Sequence, residues 1–581
     1  MPDFLRGKKV IKKWKDIFLN RYIIFFAFML TYTSIMEHYG SLFSLLPAYR
    51  LEIPLLLYLY CYLNSVTRKN KYQPFVTAAP VVLLYAAFDI YYFQLGGLMR
   101  LADIAEFPEL LSVVPPAAKV VLCLIIAVPL LAFLVSVNLR RPHVIILGSL
   151  PIAAIILTAE LAPDFFIEAF KNSQRSIVSY SDIKSVRENG RLSVALYKEA
   201  RRRSSVAKLS DYKDNILILN KFDEIISQIA VLPVKKNIHL IVLESFIEPE
   251  LLKGAVFSRN PTHPDFAKIV KDKGTLSLSP VFGGGTAQAE FEVLCGVPAM
   301  REISGVEFDI FSGAETPCLP CILAKAGYHT IATNAYVPDF FNSLKAYQGL
   351  GFEKAYYPKE YAGSSETYLS AGYTTKKENY MFDGDLLKQN LGFITGWIKN
   401  NPGTPLFNYV ITVYGHTPNL MDEISRPKII GVKGAIHDEQ LVRAVNQYYY
   451  RTQALAEYIS GICKIDPDSM IILISDHIPP LVYGPVTYQK LNYADGSRNF
   501  MYINRAFVFE NGMAVKYNDI HHFDIPHIIL NYISGGTYCD THPCNFEKQS
   551  VMTVDKNQYR ELYMTIMARA MQDRDISLKR Q

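Results

Sequence analysis

The stretch Ile238-His239-Leu240-Ile241-Val242-Leu243-Glu244 decides the fold of this 581-residue chain. It is almost continuously apolar and has the length of a strand that is buried on both faces. Similar runs recur at 329–333, 406–413 and 470–475, and helix-prone segments such as 437–463 separate them. This alternation predicts an α/β domain with a mostly parallel central sheet.

Polar side chains follow these apolar runs where each predicted strand ends. They are Glu244, Asn334, His416 and the Asp476-His477 pair. Ligands of parallel sheets bind outside the carboxyl ends of the strands. We therefore expect these residues to gather around one site.

The stretch Gly283-Gly284-Gly285 precedes Thr286 at a predicted helix start. Three glycines permit a tight turn, and the unpaired N–H groups of a helix start favour an oxyanion. Thr286 is therefore either a helix cap or a nucleophile.

Four of these side chains form a set of oxygen and nitrogen donors: Glu244, Thr286, Asp476 and His477. Such a set suits Mn²⁺, Mg²⁺ or Zn²⁺. A metal ion in contact with Thr286 would lower the pKa of its hydroxyl group and make it a competent nucleophile.

The first 162 residues contain five apolar spans, at 17–36, 53–66, 75–93, 120–137 and 144–159. Crossing a bilayer takes about 20 apolar residues, so the second and fifth spans are the weakest of the set. The pattern predicts a five-helix transmembrane domain over 17–162, after a basic cytoplasmic tail at 1–16.

The charges that flank these spans predict their orientation. Six Lys/Arg residues lie within the first fifteen positions, and basic residues follow the second and fourth spans at 68–71 and 140–141. The loops at 38–49 and 96–117 carry one basic residue, Arg100. The positive-inside rule then predicts a cytoplasmic N-terminus, and an odd number of spans places everything after Ala162 outside the cytoplasm.

The rest of the chain divides by composition. Residues 163–236 are charged and helix-prone and form a predicted juxtamembrane connector, 237–560 form the predicted catalytic domain, and 561–581 form a polar C-terminal tail. The net charge of +6 is concentrated at the N-terminus, and no basic face is interleaved with aromatic residues. Nucleic acid is therefore not an expected partner.

Six cysteines lie in the predicted exported part, where disulfides persist. Cys318 and Cys321 enclose Leu-Pro, and we predict a structural bridge between them rather than a redox motif, because no thioredoxin-like βαβ context surrounds them. Cys539 and Cys544 form a second candidate bridge. The other two are Cys295 and Cys463, and the sequence leaves the pairing among all six open.

Four motifs occur in a characteristic order: Leu243-Glu244-Ser245-Phe246, Gly285-Thr286-x-x-x-Glu290-Phe291, Gly415-His416-x-Pro418 and Ser475-Asp476-His477. Together they resemble the lipoteichoic acid synthase and phosphoglycerol transferase family of the alkaline phosphatase/sulfatase superfamily. The resemblance covers nearly the whole chain, since that family also places an exported catalytic domain after five spans. It implies a multi-pass protein of the bacterial inner (cytoplasmic) membrane with an extracytoplasmic, alkaline-phosphatase/sulfatase-like domain.

The resemblance also implies roles for individual residues. Glu244, Thr286, Asp476 and His477 would hold one divalent metal ion, with Mn²⁺ favoured over Mg²⁺ or Zn²⁺. Thr286 would attack a phospholipid donor, in the first instance phosphatidylglycerol, and expel diacylglycerol. His416 would contact the substrate phosphate. The resulting phospho-threonine would pass phosphoglycerol to a glycan or polymer acceptor.

The chain departs from the family pattern at the predicted substrate contacts. Phe340-Phe341-Asn342-Ser343 stands where lipoteichoic acid synthases have Phe-Trp-Asn-Arg, and Asn334 stands where the family has another histidine. We keep Asn334 and Phe341 as predicted substrate-binding residues beside His416. A serine cannot form the bidentate guanidinium–phosphate contact, so a phosphoethanolamine transferase remains an alternative.

Further features bear on the acceptor and on the class of protein. Cys295-Gly296-Val297-Pro298 resembles the phosphoglycerol transferases that decorate periplasmic glucans in Gram-negative bacteria, which favours a glycan acceptor. A hydrolytic sulfatase is disfavoured, since Thr286 is not followed by the Cys/Ser-x-Pro-x-Arg pattern of formylglycine enzymes. A non-catalytic membrane binding or assembly protein with a degenerate transferase domain is a further alternative, which the intact donor set opposes.

Overall fold

The structure is a computed structural model that describes residues 20–38, 45–95, 98–99, 116–177, 182–213, 215–300, 307–372, 378–547 and 556–572. The chain divides into two compact units, Met1–Ser204 and Ser205–Gln581. The predicted connector at 163–236 therefore contains the division between the units. The predicted basic tail at 1–16 lies outside the described residues.

Eight α-helices form most of the described part of the first unit, and the last of them continues past Ser204. They are α1 (Arg21–His38), α2 (Glu52–Val66), α3 (Gln73–Leu95), α4 (Pro116–Ser136), α5 (Pro142–Leu161), α6 (Pro163–Ser173), α7 (Asp182–Asn189) and α8 (Arg191–Ser210). Each of the five predicted apolar spans forms a helix. Two of the described helices are long and apolar enough to cross a membrane, at Gln73–Tyr92 and Pro142–Leu161. These two support membrane anchoring, whereas the five-span bundle and its orientation stay predictions.

Two buried carboxylates fix the start of α8 within the first unit. Asp89 accepts hydrogen bonds from Arg191 Nη2 at 2.8 Å and from Tyr32 Oη at 2.6 Å. Glu52 accepts the backbone N–H of Ser193 at 3.0 Å and its hydroxyl at 2.9 Å. A carboxylate is stabilised at a helix N-terminus, where it satisfies N–H groups that lack partners within the helix.

The second unit is built from helices and strands that alternate along the chain. Its helices are α9 (Ile216–Ala230), α10 (Pro264–Val270), α11 (Thr286–Cys295), α12 (Leu319–Lys325), α13 (Ser343–Leu350), α14 (Asp383–Asn400), α15 (Glu439–Ile465), α16 (Pro485–Lys490), α17 (Ile525–Ile533), α18 (Tyr538–Thr541) and α19 (Arg560–Ala570). Its strands are β1 (Ile238–Leu243), β2 (Val256–Phe257), β3 (Thr275–Leu278), β4 (His329–Asn334), β5 (Lys354–Tyr356), β6 (Leu406–Ile411), β7 (Val432–Lys433), β8 (Met470–Ser475), β9 (Ile503–Glu510), β10 (Met513–Val515) and β11 (Ile520–His521).

The main sheet has nine strands in the order β11-β3-β9-β8-β1-β6-β4-β5, with β10 paired to β9. β9 runs antiparallel to its neighbours, and the other pairings are parallel. All four predicted strands form and lie side by side at the centre, where Val242 pairs with both Ile411 and Ile474. The predicted mostly parallel sheet is therefore confirmed.

The sheet is buried on both faces, as the apolar runs require. Successive β1 residues alternate between two cores, with Leu240 and Val242 in one and Ile241 and Leu243 in the other. Side chains that point to opposite faces in turn explain this division. Helix α19 contributes Tyr563, Ile566 and Met567 to the first core, so the segment predicted as a polar tail from 561 begins with a packed helix.

The structure contains two disulfides, Cys295–Cys318 and Cys539–Cys544. The second was predicted, but the predicted Cys318–Cys321 bridge is wrong. Cys318 immediately precedes α12 and meets Cys295 at the end of α11, with 4.2 Å between their Cα atoms. Cys321 lies within α12, where its side chain is buried and its thiol is free. The bridge therefore joins two helix termini.

Candidate active site

The glycine-rich turn places Thr286 at the first position of α11. Gly283, Gly284 and Gly285 all have positive φ angles, of 67°, 154° and 92°, which residues with side chains rarely adopt. A side chain at Gly283 would also meet Pro480 at 2.9 Å. Gly285 is the N-cap residue, so Thr286 does not occupy the capping position. Its hydroxyl is free to point elsewhere.

The Thr286 hydroxyl points at two buried carboxylates. Its Oγ1 lies 2.9 Å from Asp476 Oδ2 and 3.3 Å from Glu244 Oε2. Glu244 follows β1 and Asp476 follows β8, and these strands are neighbours in the sheet. Asp476 and Glu244, which are 190 and 42 positions away from Thr286 in the sequence, thus meet it at the carboxyl ends of the strands.

The turn after β1 holds the two carboxylates in place. Ser245 has a positive φ of 47°, its N–H donates to Asp476 Oδ1 at 2.8 Å, and its hydroxyl donates to Glu244 Oε1 at 2.7 Å. Ser245 has no predicted role, although it is part of the Leu-Glu-Ser-Phe motif. Its strained backbone conformation is explained by these two contacts.

Glu244, Asp476 and His477 are arranged as a cation site requires. One donor atom from each lies within 4.8 Å of the others, and His477 Nε2 is 3.2 Å from Asp476 Oδ2. Among the described residues, this buried Nε2 has no hydrogen-bond partner. Burial, followed by the charge of Glu244, raises the pKa of Asp476 to about 7.

These observations agree with the chemistry of a divalent cation. Two adjacent buried carboxylates repel each other, and a buried imidazole nitrogen without a partner is costly, so a bound cation would relieve both penalties. The residues fit such an ion, with Thr286 Oγ1 as a fourth donor. The donor types suit Mn²⁺ and Zn²⁺, and the choice of Mn²⁺ stays a prediction.

His416 lies in the loop after β6, next to the cation site. Its Nδ1 contacts the carbonyl oxygen of Thr417 at 2.9 Å. A carbonyl only accepts hydrogen bonds, so Nδ1 carries a proton and Nε2 of the neutral ring carries the lone pair. Burial lowers the pKa of His416, and His477 and Asp476 are close enough to shift it in opposite directions.

Asn334, at the end of β4, is engaged with the fold. Its Nδ2 donates to Tyr347 Oη at 3.2 Å, and its Oδ1 accepts the backbone N–H of Tyr336 at 2.9 Å. Tyr347 in turn donates to Glu290 on α11. The contacts of Asn334 therefore lead to α11 rather than directly to the carboxylate cluster.

The segment that departs from the family pattern has an unusual backbone. Phe341 and Asn342 have φ angles of 54° and 56°, and the Phe341 side chain is 40% exposed. Asn342 anchors the turn by donating to the carbonyl of Phe308 at 2.7 Å. Ser343 is buried and donates to the carbonyl of Pro338 at 2.6 Å, so this position supplies no cation to a substrate.

Glu290 has no predicted role, but its carboxyl group links α11 to two buried tyrosines. It lies four positions after Thr286 on α11, and its Oε2 accepts hydrogen bonds from Tyr347 at 2.7 Å and Tyr409 at 2.6 Å. Burial raises its pKa to about 7, and the charges of Asp476 and Glu244 add to the shift. The Thr-x-x-x-Glu spacing was the available signal, since residues four apart share one face of a helix.

Comparison with known proteins defines the class. A family model described as "Sulfatase" matches residues 236–535, which is just over half of the 581-residue chain. The chain therefore belongs to the sulfatase family. The predicted membership of the alkaline phosphatase/sulfatase superfamily is confirmed, and with it the prediction of an enzyme of this superfamily.

Individual relatives are distant. A Rhizobium meliloti (strain 1021) protein named for cyclic beta-1,2-glucan modification is 24% identical over 273 residues, which cover 44% of this chain and 38% of the relative. A phosphoglycerol transferase of Streptococcus pyogenes, solved with sn-glycerol-1-phosphate, has 16% identity and a TM-score of 0.44, over 63% of this chain and 92% of its own. The C-terminal periplasmic domain of EcEptC from Escherichia coli, solved in complex with Zn, has 13% identity and a TM-score of 0.38; the match covers 55% of this chain and 88% of that domain.

Proposed function

We propose that this protein is a membrane-anchored, metal-dependent transferase that moves phosphoglycerol from a phospholipid to a glycan. Phosphatidylglycerol is the proposed donor, and Thr286 carries the intermediate. One observation carries the proposal: the Thr286 hydroxyl lies at a helix N-terminus, 2.9 Å from Asp476 and beside a buried set of cation donors. A helix cap would not need that arrangement.

Glu244, Asp476, His477 and Thr286 would hold the divalent ion. When bound, the ion lowers the pKa of the threonine hydroxyl and neutralises charge on the phosphate. The helix N-terminus of α11 directs backbone N–H groups towards the same place and favours a phosphate there. Phosphoryl transfer depends mainly on positioning and on charge stabilisation, and this site offers both.

In the first step, Thr286 Oγ1 gives its proton to Asp476 Oδ2 and forms a bond to phosphorus. The bond between phosphorus and the diacylglycerol oxygen breaks, and that oxygen takes a proton from the imidazolium form of His416. Burial lowers the pKa of His416, so the neutral ring predominates, and the imidazolium that protonates the leaving oxygen is a minor but more strongly acidic form.

In the second step, the acceptor hydroxyl attacks the phosphorus and gives its proton to His416 Nε2. The bond from phosphorus to Thr286 Oγ1 breaks, and Asp476 returns the proton to that oxygen. Because Nδ1 is tied to the carbonyl of Thr417, the imidazole presents Nε2 to the substrate in both steps.

A phosphoethanolamine transferase is the second candidate. The buried Ser343 favours it, because its hydroxyl is bonded to Pro338 and the segment lacks the cation that would hold a glycerol phosphate. An ammonium headgroup does not need that cation. In either case the donor lies in the membrane and the acceptor outside the cytoplasm, in keeping with the predicted orientation of the bacterial inner-membrane protein. Asn334 and Phe341 stay the proposed contacts to the headgroup beside His416.

The test is diacylglycerol release by the full-length protein in vesicles that contain either phosphatidylglycerol or phosphatidylethanolamine. We expect release from phosphatidylglycerol with wild type, loss of at least about 1,000-fold with Thr286→Ala, and partial retention with Thr286→Ser. Release from phosphatidylethanolamine alone would select the second candidate. Normal release by Thr286→Ala would contradict the mechanism.

A further inference from the structure

An unbroken series of aromatic rings leads away from His416. The ring centroid of Tyr380 lies 5.1 Å from that of His416, Tyr336 lies 5.8 Å from Tyr380, and Phe340 lies 4.9 Å from Tyr336. Tyr361 packs 6.2 Å from Tyr336. We call Tyr336, Phe340, Tyr361 and Tyr380 the aromatic stripe.

The stripe connects the reaction site to solvent. At its inner end, Tyr380 packs on His416; burial raises the pKa of Tyr380, and the charges of Tyr336 and Glu244 add to the shift. At its outer end, the Phe341 ring lies 4.1 Å from that of Phe340 and is 40% exposed. The rings between these ends are partly exposed. A ligand on the stripe could therefore place one end at His416 and extend outward.

The stripe is not purely apolar, because three of its members carry phenol groups. Among the described residues, the hydroxyls of Tyr336, Tyr361 and Tyr380 have no hydrogen-bond partner within the protein. Several other tyrosines of this unit bond to protein groups, as Tyr347 and Tyr409 do to Glu290. Burial raises the pKa of all three stripe tyrosines, so they stay neutral and can both donate and accept hydrogen bonds.

We propose that the aromatic stripe is the acceptor subsite and that it binds hexose rings of a neutral glycan. A sugar ring has apolar C–H faces that pack on aromatic rings and hydroxyls that pair with phenols, and the stripe offers both kinds of contact. An acyl chain would leave the phenols without partners, at a cost for each group that loses water. The assignment to the acceptor rests on the proposed function, in which His416 takes the proton of the acceptor hydroxyl.

The stripe residues are distinct from the residues proposed to hold the donor phosphate. The donor phosphate must meet Thr286 and the cation donors, whereas the stripe begins at His416, which serves the oxygen on the opposite side of phosphorus in both steps. Changes in the stripe should therefore alter acceptor binding and leave the chemistry at Thr286 intact.

Binding is measured on full-length Thr286→Ala protein in detergent, so that no turnover interferes, with a short glucose oligosaccharide as the probe. In that background, Tyr361→Ala and Phe340→Leu should each weaken binding by about 3- to 10-fold, the range for loss of one aromatic contact. Tyr336→Phe, which keeps the ring, should weaken binding through the hydroxyl alone. Tyr356→Ala is the matched control, because its ring packs on Tyr368 and Phe393, which lie outside the stripe.

The second measurement is diacylglycerol release without acceptor, in a protein that retains Thr286. The stripe variants should match wild type within about twofold in this half-reaction, while transfer to the oligosaccharide falls in step with binding. Equal binding by the stripe variants and the Tyr356→Ala control would overturn the proposal. An affinity for short-chain diacylglycerol that falls in the stripe variants as much as the affinity for the oligosaccharide would also overturn it, in favour of a lipid site. These two outcomes concern the stripe alone. If the proposed function itself is wrong, wild type will release no diacylglycerol.

Discussion

Replacing Glu290 by glutamine should slow the chemical step with little effect on donor binding. The Glu290 carboxylate accepts two phenol hydrogen bonds, at 2.7 Å and 2.6 Å, and it lies one helical turn from Thr286. A hydrogen bond to a charged group contributes about 1.5–3 kcal/mol, and glutamine replaces one such acceptor with a neutral one. If the first turn of α11 loses that support, the barrier rises by roughly 1.4–2.7 kcal/mol, which is about 10- to 100-fold in kcat.

The assay is diacylglycerol release from phosphatidylglycerol vesicles at saturating and limiting donor, which separates kcat from KM. Glu290→Gln should lower kcat and change KM for the donor by less than about threefold, because Glu290 touches helix and sheet rather than substrate. Tyr409→Phe removes one of the two phenol donors and should show a smaller loss of kcat in the same direction.

A double variant of Glu290 and Tyr409 gives the internal control. If the two residues act through their shared hydrogen bond, the losses should be less than additive. An unchanged kcat for Glu290→Gln in a protein that folds normally would refute the positioning role. So would a loss confined to KM.

Three further predictions concern stability, each measured by thermal unfolding of the full chain in detergent. Removing the Cys295–Cys318 bridge with two serines should cost about 3 kcal/mol, since it closes a loop with a sequence separation of 23, and an unchanged melting temperature would contradict this. Burial raises the pKa of Glu248 from 4.5 to about 7, so the stability that its protonated form contributes is complete below 4.5 and is lost as the pH rises through 7. As the pH rises from 5 to 8, the free energy of unfolding of Glu248→Gln should therefore increase relative to that of wild type, by up to about 3 kcal/mol. A difference that does not change with pH would contradict this. Arg191→Met should destabilise the protein more than its combination with Asp89→Leu, because the single change leaves a buried carboxylate unpaired, and the reverse order would contradict the pairing.

The sequence predicts the central sheet well because its strands carry a strong local signal. Strands β1, β6 and β8 are almost continuously apolar, β4 carries two threonines among its apolar residues, and a polar residue closes or follows each strand. The rule for parallel sheets then places Glu244, Asp476 and His477 at one edge, where the structure has them. Local composition and a general topological rule were sufficient for this part.

The Cys295–Cys318 disulfide and the hydrogen bonds from Tyr347 and Tyr409 to Glu290 depend on long-range contacts that no local sequence pattern encodes. Cys295 pairs with Cys318 because two helix termini meet, whereas the short spacing to Cys321 suggested a bridge that does not form. Tyr409 reaches Glu290 across 119 positions. A single sequence does not show which helix packs over which strand.

The amino-terminal unit illustrates the same difference. Each apolar span predicts its helix, because hydropathy is a local property. The pairing of Asp89 with Arg191 spans 102 positions and joins an apolar helix to the predicted connector. Hydropathy marks Asp89 as an exception within its span but does not identify its partner.

The central claim is that Thr286 carries the phosphoryl group, and the most direct test is to trap that adduct. The full-length protein is incubated with phosphatidylglycerol labelled in the headgroup glycerol, without acceptor, quenched in acid and digested for mass spectrometry. We predict a peptide spanning the Gly283–Thr286 turn that carries one labelled phosphoglycerol on Thr286, and no such peptide from Thr286→Ala. Diacylglycerol release at a normal rate with the label on another residue would contradict the claim.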